Sequence, residues 1–376
     1  MSDVVLGSSP RPRVVLVDRR AGLAIGHHQH WLELLLQGLG QRVEVLILRG
    51  ESHATETLEE SEAPTAGARV RVLRQGESTT AWYRNALRVA VATDPQVIIV
   101  LSGDDALFAL AAEWRACRRV EIRSLFFRLA PQPEPRAMAR YAARLTALAL
   151  LKVALPKLQA HVLLLPVGRS RRTHRLLGLT PVTDASAGEA LVPAGHVRAR
   201  GAVGLAAVTG PVVLVIGMLG PGKHVDTVIE AWRIGALPNG RLIFAGQADR
   251  KTDELLMGAA KNRASIEYRP GRLTDIEFDH LLEAADVVCA IYRYSASSGI
   301  VLRALALGSP VLVGGSSVLK QALGDIAGVV ILQHLDVLTV AEGLRRTASI
   351  RRPIPTQYRR PADEFPRPLI KGLPHV

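Results

Sequence analysis

A glycine-rich turn that ends in a lysine is the first segment of this sequence with the residues for chemistry. Residues 217–232 read GMLGPGKHVDTVIEAW and follow an apolar run, PVVLVI, that predicts a buried strand. Gly220 and Gly222 let the backbone approach a ligand closely, and Lys223 stands at the mouth of the predicted helix. A helix amino terminus and a lysine both favour an anion. The turn is therefore predicted to bind an anion, with a plain strand-to-helix connection as the alternative.

A loop of small residues, SASSG, is the second candidate, and it follows the apolar run DVVCAIY. Ser297 or Ser298 can cap a helix that begins near Gly299, and free amide groups at that end would face a ligand. The alternative is an ordinary helix cap. Both loops follow strands of the same half of the chain, so in a parallel sheet they open on one edge. A diphosphate is predicted to sit between them.

Two clusters in the first half are weaker candidates. His27, His28 and His30 follow Gly26, but their spacing does not bring three imidazoles to one helix face, so no metal site is expected. Solvation or capping is the alternative role for these histidines.

The pair Asp104 and Asp105 follows the strand predicted for VIIVL. Its spacing does not suit a metal-binding DxD pair. We expect these aspartates to cap the helix that follows, where carboxylates are stabilised. Contact with a substrate is the other possibility, because the end of this strand lies near the predicted cleft.

Composition narrows the class of protein. The chain of 376 residues carries a net charge of +13, and aromatic residues make up 4% of it. The arginines are spread along the sequence without a zinc spacing, a helix-turn-helix or aromatic RNA-binding motifs, so nucleic acid is not an expected partner. Cys117 and Cys289 lie in different halves, which predicts two free thiols in a reducing compartment.

Strand and helix patterns alternate through both halves, which predicts an α/β protein with two Rossmann-like, doubly wound parallel-sheet domains facing a cleft. Residues 1–180 form the predicted first domain, 181–210 a linker and 211–345 the second domain. Residues 346–376 form a tail rich in proline and arginine that is expected to be irregular. The first residues show no signal-peptide pattern.

The stretch from 211 to 335 resembles the donor-binding domain of the GT-B glycosyltransferases, in particular the retaining enzymes of the glycosyltransferase-4 type. The family's G-R-x-x-x-x-K-G-x-D loop corresponds to GMLGPGKHVD, where Lys223 and Asp226 match. Two later segments, RPGRLTDIEFDHLLEAADVVCAIY and SSGIVLRALALGSPVLV, resemble the family as well. Their matching positions are Gly271, Asp275, Asp286, Val287, Ala304, Gly308, Pro310 and Val311.

This sequence departs from the family pattern at the donor site. Ser295 and Arg303 replace the paired glutamates of the E-x7-E motif, which help to hold the donor's sugar and ribose in the family, and Met218 replaces the arginine of the first loop. Met218 and Ser295 are assigned to the nucleotide and sugar pocket. Arg272 and Arg303 are expected to bind the diphosphate instead, because guanidinium groups bind phosphate bidentately. The family's histidine after a central strand of the first domain has no match, so no catalytic residue is assigned.

The resemblance implies a glycosyltransferase that moves a hexose, with retention, from a nucleotide diphosphate sugar to a hydroxyl of a glycan or a lipid-linked acceptor. Such reactions serve bacterial cell-surface polysaccharide or glycoconjugate synthesis. Gly26, His27 and His28 would lie on the acceptor side, and neither a metal nor a cofactor is expected. The alternative is an inactive GT-B module that binds nucleotide or glycan or supports a partner transferase.

Location and membrane contact follow from charge and pattern. The protein is expected to be cytoplasmic, with a possible peripheral contact to anionic membrane through the helix predicted around residues 136–157. Arginines at 136, 140 and 144 share one face of that helix. The alternative is a helix packed on the sheet with its basic side in water.

Overall fold

Two parallel sheets, one of seven strands and one of six, organise the protein. The computed structural model describes residues 13–20, 28–40, 43–50, 68–73, 78–127, 135–164, 178–183, 194–293, 298–351 and 365–373. Buried apolar clusters cover both faces of each sheet. The prediction of two doubly wound α/β domains is confirmed.

The first domain has the strand order β3-β2-β1-β4-β5-β6-β7, with all neighbours parallel. Its strands are β1 (Arg13–Val17), β2 (Glu44–Gly50), β3 (Ala68–Leu73), β4 (Val97–Val100), β5 (Glu121–Phe126), β6 (Leu158–Leu164) and β7 (Thr180–Thr183). Its helices are α1 (His28–Leu39), α2 (Thr79–Ala92), α3 (Gly103–Ala112), α4 (Trp114–Cys117) and α5 (Pro135–Ala154).

The second domain has the order β10-β9-β8-β11-β12-β13, again with parallel neighbours. Its strands are β8 (Val212–Ile216), β9 (Arg241–Gly246), β10 (Ile266–Pro270), β11 (Val287–Tyr292), β12 (Val311–Gly315) and β13 (Val329–Ile331). Its helices are α6 (His196–Ala202), α7 (Val225–Arg233), α8 (Arg250–Asn262), α9 (Asp275–Ala284), α10 (Gly299–Ala306), α11 (Ser317–Leu323) and α12 (Val337–Ala348).

The strands β4, β8 and β11, which lie at the switch points, are apolar along their whole length because helices cover both faces of each sheet. β8 reads VVLVI and β11 reads VVCAIY, and every residue of both is buried. In each sheet the chain changes direction of winding once, between β1 and β4 in the first and between β8 and β11 in the second. Ligands of open α/β sheets bind in the crevice at such a switch point, outside the carboxyl ends of the strands.

The structure differs from the sequence-based expectation at the edges of the first sheet. β3 begins at Ala68, directly after the acidic and polar residues 51–67, and most of its side chains are exposed because it is an edge strand. β7 is the opposite edge strand, and it occupies Thr180–Thr183 at the start of the predicted linker. Short edge strands carry little hydrophobic pattern, so their sequences resemble loops.

The predicted linker also contains α6, which belongs to the second domain. Arg200 of α6 forms an ion pair with Asp286, and the Glu283 carboxylate accepts hydrogen bonds from the backbone amides of Ala194 and Gly195. These contacts attach residues 194–202 to α9 and to the start of β11.

The carboxyl-terminal tail returns to the first domain. Its helix α13 (Arg367–Ile370) packs on α1 and β7, and Phe365 stacks on Trp31 with ring centroids 5.6 Å apart. The buried Arg123 guanidinium donates a hydrogen bond of 2.8 Å to the carbonyl of Leu369. The expectation of an irregular tail is therefore wrong for residues 365–373, which complete the core of the first domain.

We expect Phe365→Ala to lower the free energy of unfolding of the first domain by about 3–5 kcal/mol, because a buried stacked ring is lost. Lys371→Ala, at an exposed position of the same segment, should change it by less than about 0.5 kcal/mol. Urea unfolding followed by near-ultraviolet circular dichroism measures both. Similar small effects for the two variants would contradict a structural role for the tail.

Candidate functional site

Two loops meet at the switch point of the second sheet. The first, residues 217–224, follows β8, and the second follows β11 and ends at Ser298. A Cβ atom placed on Gly217 would lie 3.3 Å from the Lys223 Nζ and 3.1 Å from Cδ1 of Ile300, a residue of α10. The structure thus brings the turn that contains Lys223 close to the beginning of α10, which is the convergence that the sequence predicts.

The backbone of the first loop is tightly held. Gly217 has a φ of 94°, which a residue with a side chain rarely adopts, and its amide donates to the carbonyl of Ala245. Leu219 is tied to β9's end by a 2.7 Å bond from its amide to the carbonyl of Gln247. The Arg293 amide donates to the Gly222 carbonyl over 2.8 Å and connects the two loops directly.

Lys223 points back into the end of β8. Its Nζ donates a hydrogen bond to the Ile216 carbonyl and lies 5.7 Å from the ring centroid of Tyr292. Burial lowers the pKa of the Lys223 amine to about 7, because few neighbours compensate the loss of water around the ammonium. A negatively charged ligand would restore the ammonium form, so this amine is suited to respond to an anion.

Tyr292 is a site residue that the sequence analysis missed. Its hydroxyl lies 3.1 Å from the Ser298 Oγ, which also accepts a 3.4 Å hydrogen bond from the Val301 amide and caps α10. Burial raises the pKa of Tyr292 to about 12, so the hydroxyl stays protonated near neutrality. The cap at Ser298 is confirmed, whereas Tyr292 reads in the sequence only as the last residue of an apolar strand.

His224 was also missed. It adopts a left-handed backbone with a φ of 47° immediately before α7, and its buried Nε2 has no hydrogen-bond partner among the described residues. Burial lowers the pKa of this imidazole, so it is neutral around pH 7. The sequence places it next to Lys223, but the burial of its Nε2 is evident only in the structure.

Arg303, which replaces the family's second glutamate, is not a free cation. Its guanidinium binds the Asp279 carboxylate through two hydrogen bonds, from Nε to Oδ1 and from Nη2 to Oδ2, the latter 2.7 Å long. Its Cζ lies 5.7 Å from the ring centroid of Phe278. The pair joins α9 to α10, and Asp279 already occupies the donor groups that were expected to hold a phosphate.

The remaining predicted donor residues differ in placement. Arg272 is exposed and forms no ion pair within the described part of the chain, and Met218 is 59% exposed. Gly220 sits near the Asp249 carboxylate, 3.1 Å from where its Cβ would be, and Gly299 is the buried first residue of α10. Ser295 and Ser297 lie outside the described residues.

The first domain has polar residues at its own switch point. The buried Asp18 follows β1, and its Oδ1 accepts a hydrogen bond from the Arg20 amide and lies 3.4 Å from the hydroxyl of the buried Ser102, which follows β4. Gly26 and His27 lie outside the described residues. His28 begins α1, and its side chain is not among the described ones.

The expectation that Asp104 and Asp105 cap α3 is corrected. Ser102 holds the cap position, and both aspartates lie in the first helical turn. The Asp104 Oδ2 accepts a 2.5 Å bond from the Phe127 amide, and Asp105 forms a 3.3 Å ion pair with Arg20. Their carboxylates connect α3 to neighbouring loops rather than to its own amides.

Anion binding is what this arrangement can do chemically. Lys223 and the amino-terminal end of α10 place positive charge at one crevice, and the exposed Arg272 follows β10 at the carboxyl end of the same sheet. Tyr292 and Ser298 supply hydroxyls at the same edge.

Comparison with known proteins agrees with this geometry. Residues 202–359 match the family described as glycosyl transferases group 1. No curated protein sequence matches the chain.

Several solved structures share the fold over nearly the whole chain. Sucrose-phosphate synthase from Thermosynechococcus elongatus is 13% identical, with a TM-score of 0.67 over 96% of this chain and 95% of that one. HepE from Anabaena, solved with UDP and glucose, is 14% identical, with a TM-score of 0.63 over 96% and 95%. WaaG, a glycosyltransferase involved in lipopolysaccharide biosynthesis, is 13% identical, with a TM-score of 0.60 over 96% of each chain.

The resemblance seen in the sequence is confirmed by both comparisons, one from the sequence of the second domain and one from the fold of the whole chain. The chain thus has the GT-B fold, and residues 202–359 match the glycosyl transferases group 1 family.

Proposed function

We propose that this protein transfers a sugar from a nucleotide diphosphate sugar and that the diphosphate binds between the loops at the second switch point. The observation that carries the proposal is the position of Lys223, whose Nζ is held at the carboxyl end of β8, 3.3 Å from where a Cβ on Gly217 would lie. Support comes from structural neighbours: HepE was solved with UDP-glucose, and the trehalose-6-phosphate protein of E. coli with UDP-2-fluoro glucose.

The proposed chemistry is stabilisation of the leaving diphosphate. As the glycosidic bond breaks, negative charge grows on the departing phosphate oxygens, and groups already aimed at them lower the barrier. Lys223, Arg272 and the amides at Ser298 and Gly299 would provide that positive charge. The proposal requires no metal ion, because these groups would supply the positive charge that a metal cation could otherwise supply.

The acceptor is proposed to be a hydroxyl of a glycan or of a lipid-linked sugar, glycosylated with retention in polysaccharide or glycoconjugate synthesis. The site for it would be the switch point of the first domain, which holds Asp18 and Ser102. Gly26, His27 and His28 are proposed to contribute to it. Buried carboxylates and hydroxyls at such an edge suit sugar hydroxyls as partners.

We further propose a cytoplasmic protein that touches anionic membrane through α5. Leu150 and Val153 on this helix are 67% and 84% exposed, and Arg140 is exposed on the same helix. Apolar and basic side chains together favour the lipid interface. Among the described residues, no helix is long and apolar enough to cross a membrane.

A second candidate function is binding of a nucleotide sugar without transfer. It is favoured by Arg303, because an arginine bound to Asp279 cannot accept hydrogen bonds from a ribose or a sugar as a glutamate does. A measurement of free UDP released from UDP-glucose, with and without a glycan acceptor, distinguishes sugar transfer from binding alone. A protein that binds UDP but releases none from the sugar nucleotide would be a binding module.

We expect Lys223→Ala to weaken the binding of UDP, or of GDP, by roughly 10–100-fold, because a charge-assisted hydrogen bond to phosphate is lost. Calorimetric titration measures the affinity. Lys251→Ala removes the same charge from an exposed position on α8 and serves as the control, with no expected change. If neither nucleotide binds the folded wild type, the donor site is wrongly placed.

The affinity should also depend on pH. Since the pKa of Lys223 is about 7 in the free protein, the amine is charged below and neutral above that pH. A bound diphosphate favours the ammonium, so affinity should fall as pH rises above 7, by up to about tenfold per pH unit. Lys223→Arg keeps its charge throughout and controls for ionisation of the nucleotide. Parallel profiles for wild type and Lys223→Arg would refute the assignment.

Arg303 is expected to act structurally. Arg303→Glu places a carboxylate against Asp279 and should cost about 2–3 kcal/mol of stability. The exchange Asp279→Arg with Arg303→Glu should recover most of it. UDP affinity of this exchanged variant should stay within about threefold of wild type. A much larger loss in the stable variant would instead place Arg303 on the phosphate.

A further inference from the structure

A basic cavity lies at the end of the first sheet where its parallel strands begin, away from both switch points. Its volume is about 920 Å³, and its lining includes Trp114, Arg115, Arg118, Arg119 and Lys157. Arg118 and Arg119 precede β5 and Lys157 precedes β6, so these residues lie at the ends where the parallel strands begin. The loops that carry Asp18 and Ser102 follow the opposite ends of the strands.

The charge of this cavity is strongly one-sided. Four cationic side chains line it and Asp94 is the single carboxylate in the lining, which leaves a net charge of +3. Arg115, Arg118, Arg119 and Lys157 are all exposed, and none forms an ion pair within the described part of the chain.

Neighbouring arginines on α2 show the contrast. Arg84 and Arg88 both bind the Glu113 carboxylate, at 2.9 Å and 2.8 Å, and hold its pKa below the ordinary value. The two arginines on α2 thus share a carboxylate partner, whereas the cations of the cavity have none within the described part of the chain. Unpaired like charges so close together repel each other, and an anion would remove that repulsion.

The cavity wall is already ordered. Arg115 Cζ lies 5.5 Å from the ring centroid of Trp114, and Lys157 Nζ donates a 3.1 Å hydrogen bond to the Arg119 carbonyl. The Arg118 amide donates to the Trp114 carbonyl over 3.0 Å. A second cavity of about 530 Å³ adjoins the first and shares Arg119, Val120 and Lys157 with it.

We propose that this cavity binds a phosphate group, carried either by a small soluble molecule or by the headgroup of an anionic phospholipid. Guanidinium groups match phosphate oxygens bidentately, and three of them with an ammonium can neutralise more than one negative charge. The indole of Trp114 offers an apolar wall to the organic part of the ligand. The site is separate from the proposed donor site, because it belongs to the other domain.

A soluble phosphate compound and a phospholipid surface would cover different parts of the protein surface. Leu150 and Val153 are exposed near the end of α5, and Val153 lies four residues before Lys157. A phospholipid surface that reaches the cavity would also cover these apolar side chains, whereas a soluble phosphate would leave them in water. Both sources use the same cations.

The test compares Arg118→Ser/Arg119→Ser with a matched pair, Arg345→Ser/Arg346→Ser, which removes the same charge from exposed positions on α12. Both carry Lys223→Met, as does the reference protein, so that pyrophosphate bound at the donor site does not count. Calorimetric titration with pyrophosphate tests a soluble ligand. Co-sedimentation with phosphatidylglycerol vesicles, against phosphatidylcholine vesicles, tests a lipid headgroup.

At least one probe should bind the reference protein, and the Arg118/Arg119 variant should lose about tenfold or more in affinity for it. The matched variant should stay within about twofold. Binding of pyrophosphate alone identifies a soluble ligand, and binding of anionic vesicles alone identifies a headgroup; both results support the site. Equal loss in the two variants, unchanged binding by the Arg118/Arg119 variant or no binding of either probe would overturn it. Thermal unfolding confirms that all three proteins are folded.

Discussion

Complete burial of the central strands is the constraint on which the rest of this structure depends. At the second switch point, β8 and β11 are covered by helices on both faces, and all of their side chains are buried. Polar groups that could meet a ligand there are therefore concentrated at the ends of the strands. The crevice at Lys223 lies at the carboxyl ends of the strands of the second sheet. The basic cavity lies at the amino ends of the strands of the first sheet.

The high positive charge of the chain is divided between two uses. Many arginines are internal connectors: Arg123 joins β5 to the tail, Arg200 joins α6 to Asp286, and Arg303 joins α9 to α10. Planar guanidinium groups suit this role because they satisfy two or three acceptors at once. The arginines around Trp114 have no such partners among the described residues. Net charge alone does not separate these uses, because the distinction lies in which carboxylate each arginine meets.

The sequence predicted the features that depend on local pattern. The alternation of strands and helices follows from periodicity, and Lys223 and Ser298 stand out because glycine and serine have known roles at helix starts. Contacts between residues far apart in the sequence could not be predicted from it. Arg303 and Asp279 are 24 residues apart and carry no shared motif, so their ion pair could not be foreseen. Phe365 sits among prolines, and nothing local indicates that its ring packs on Trp31, in α1.

The return of the tail has a consequence for the order in which the protein forms during synthesis. The described strands and helices of the second domain all lie between residues 194 and 351, so they are synthesised before residues 365–373. The first domain begins to emerge much earlier but needs Phe365 and Leu369 for its core. The half of the protein that is made first is therefore the half that finishes folding last, because its core waits for a segment made after the whole of the other half.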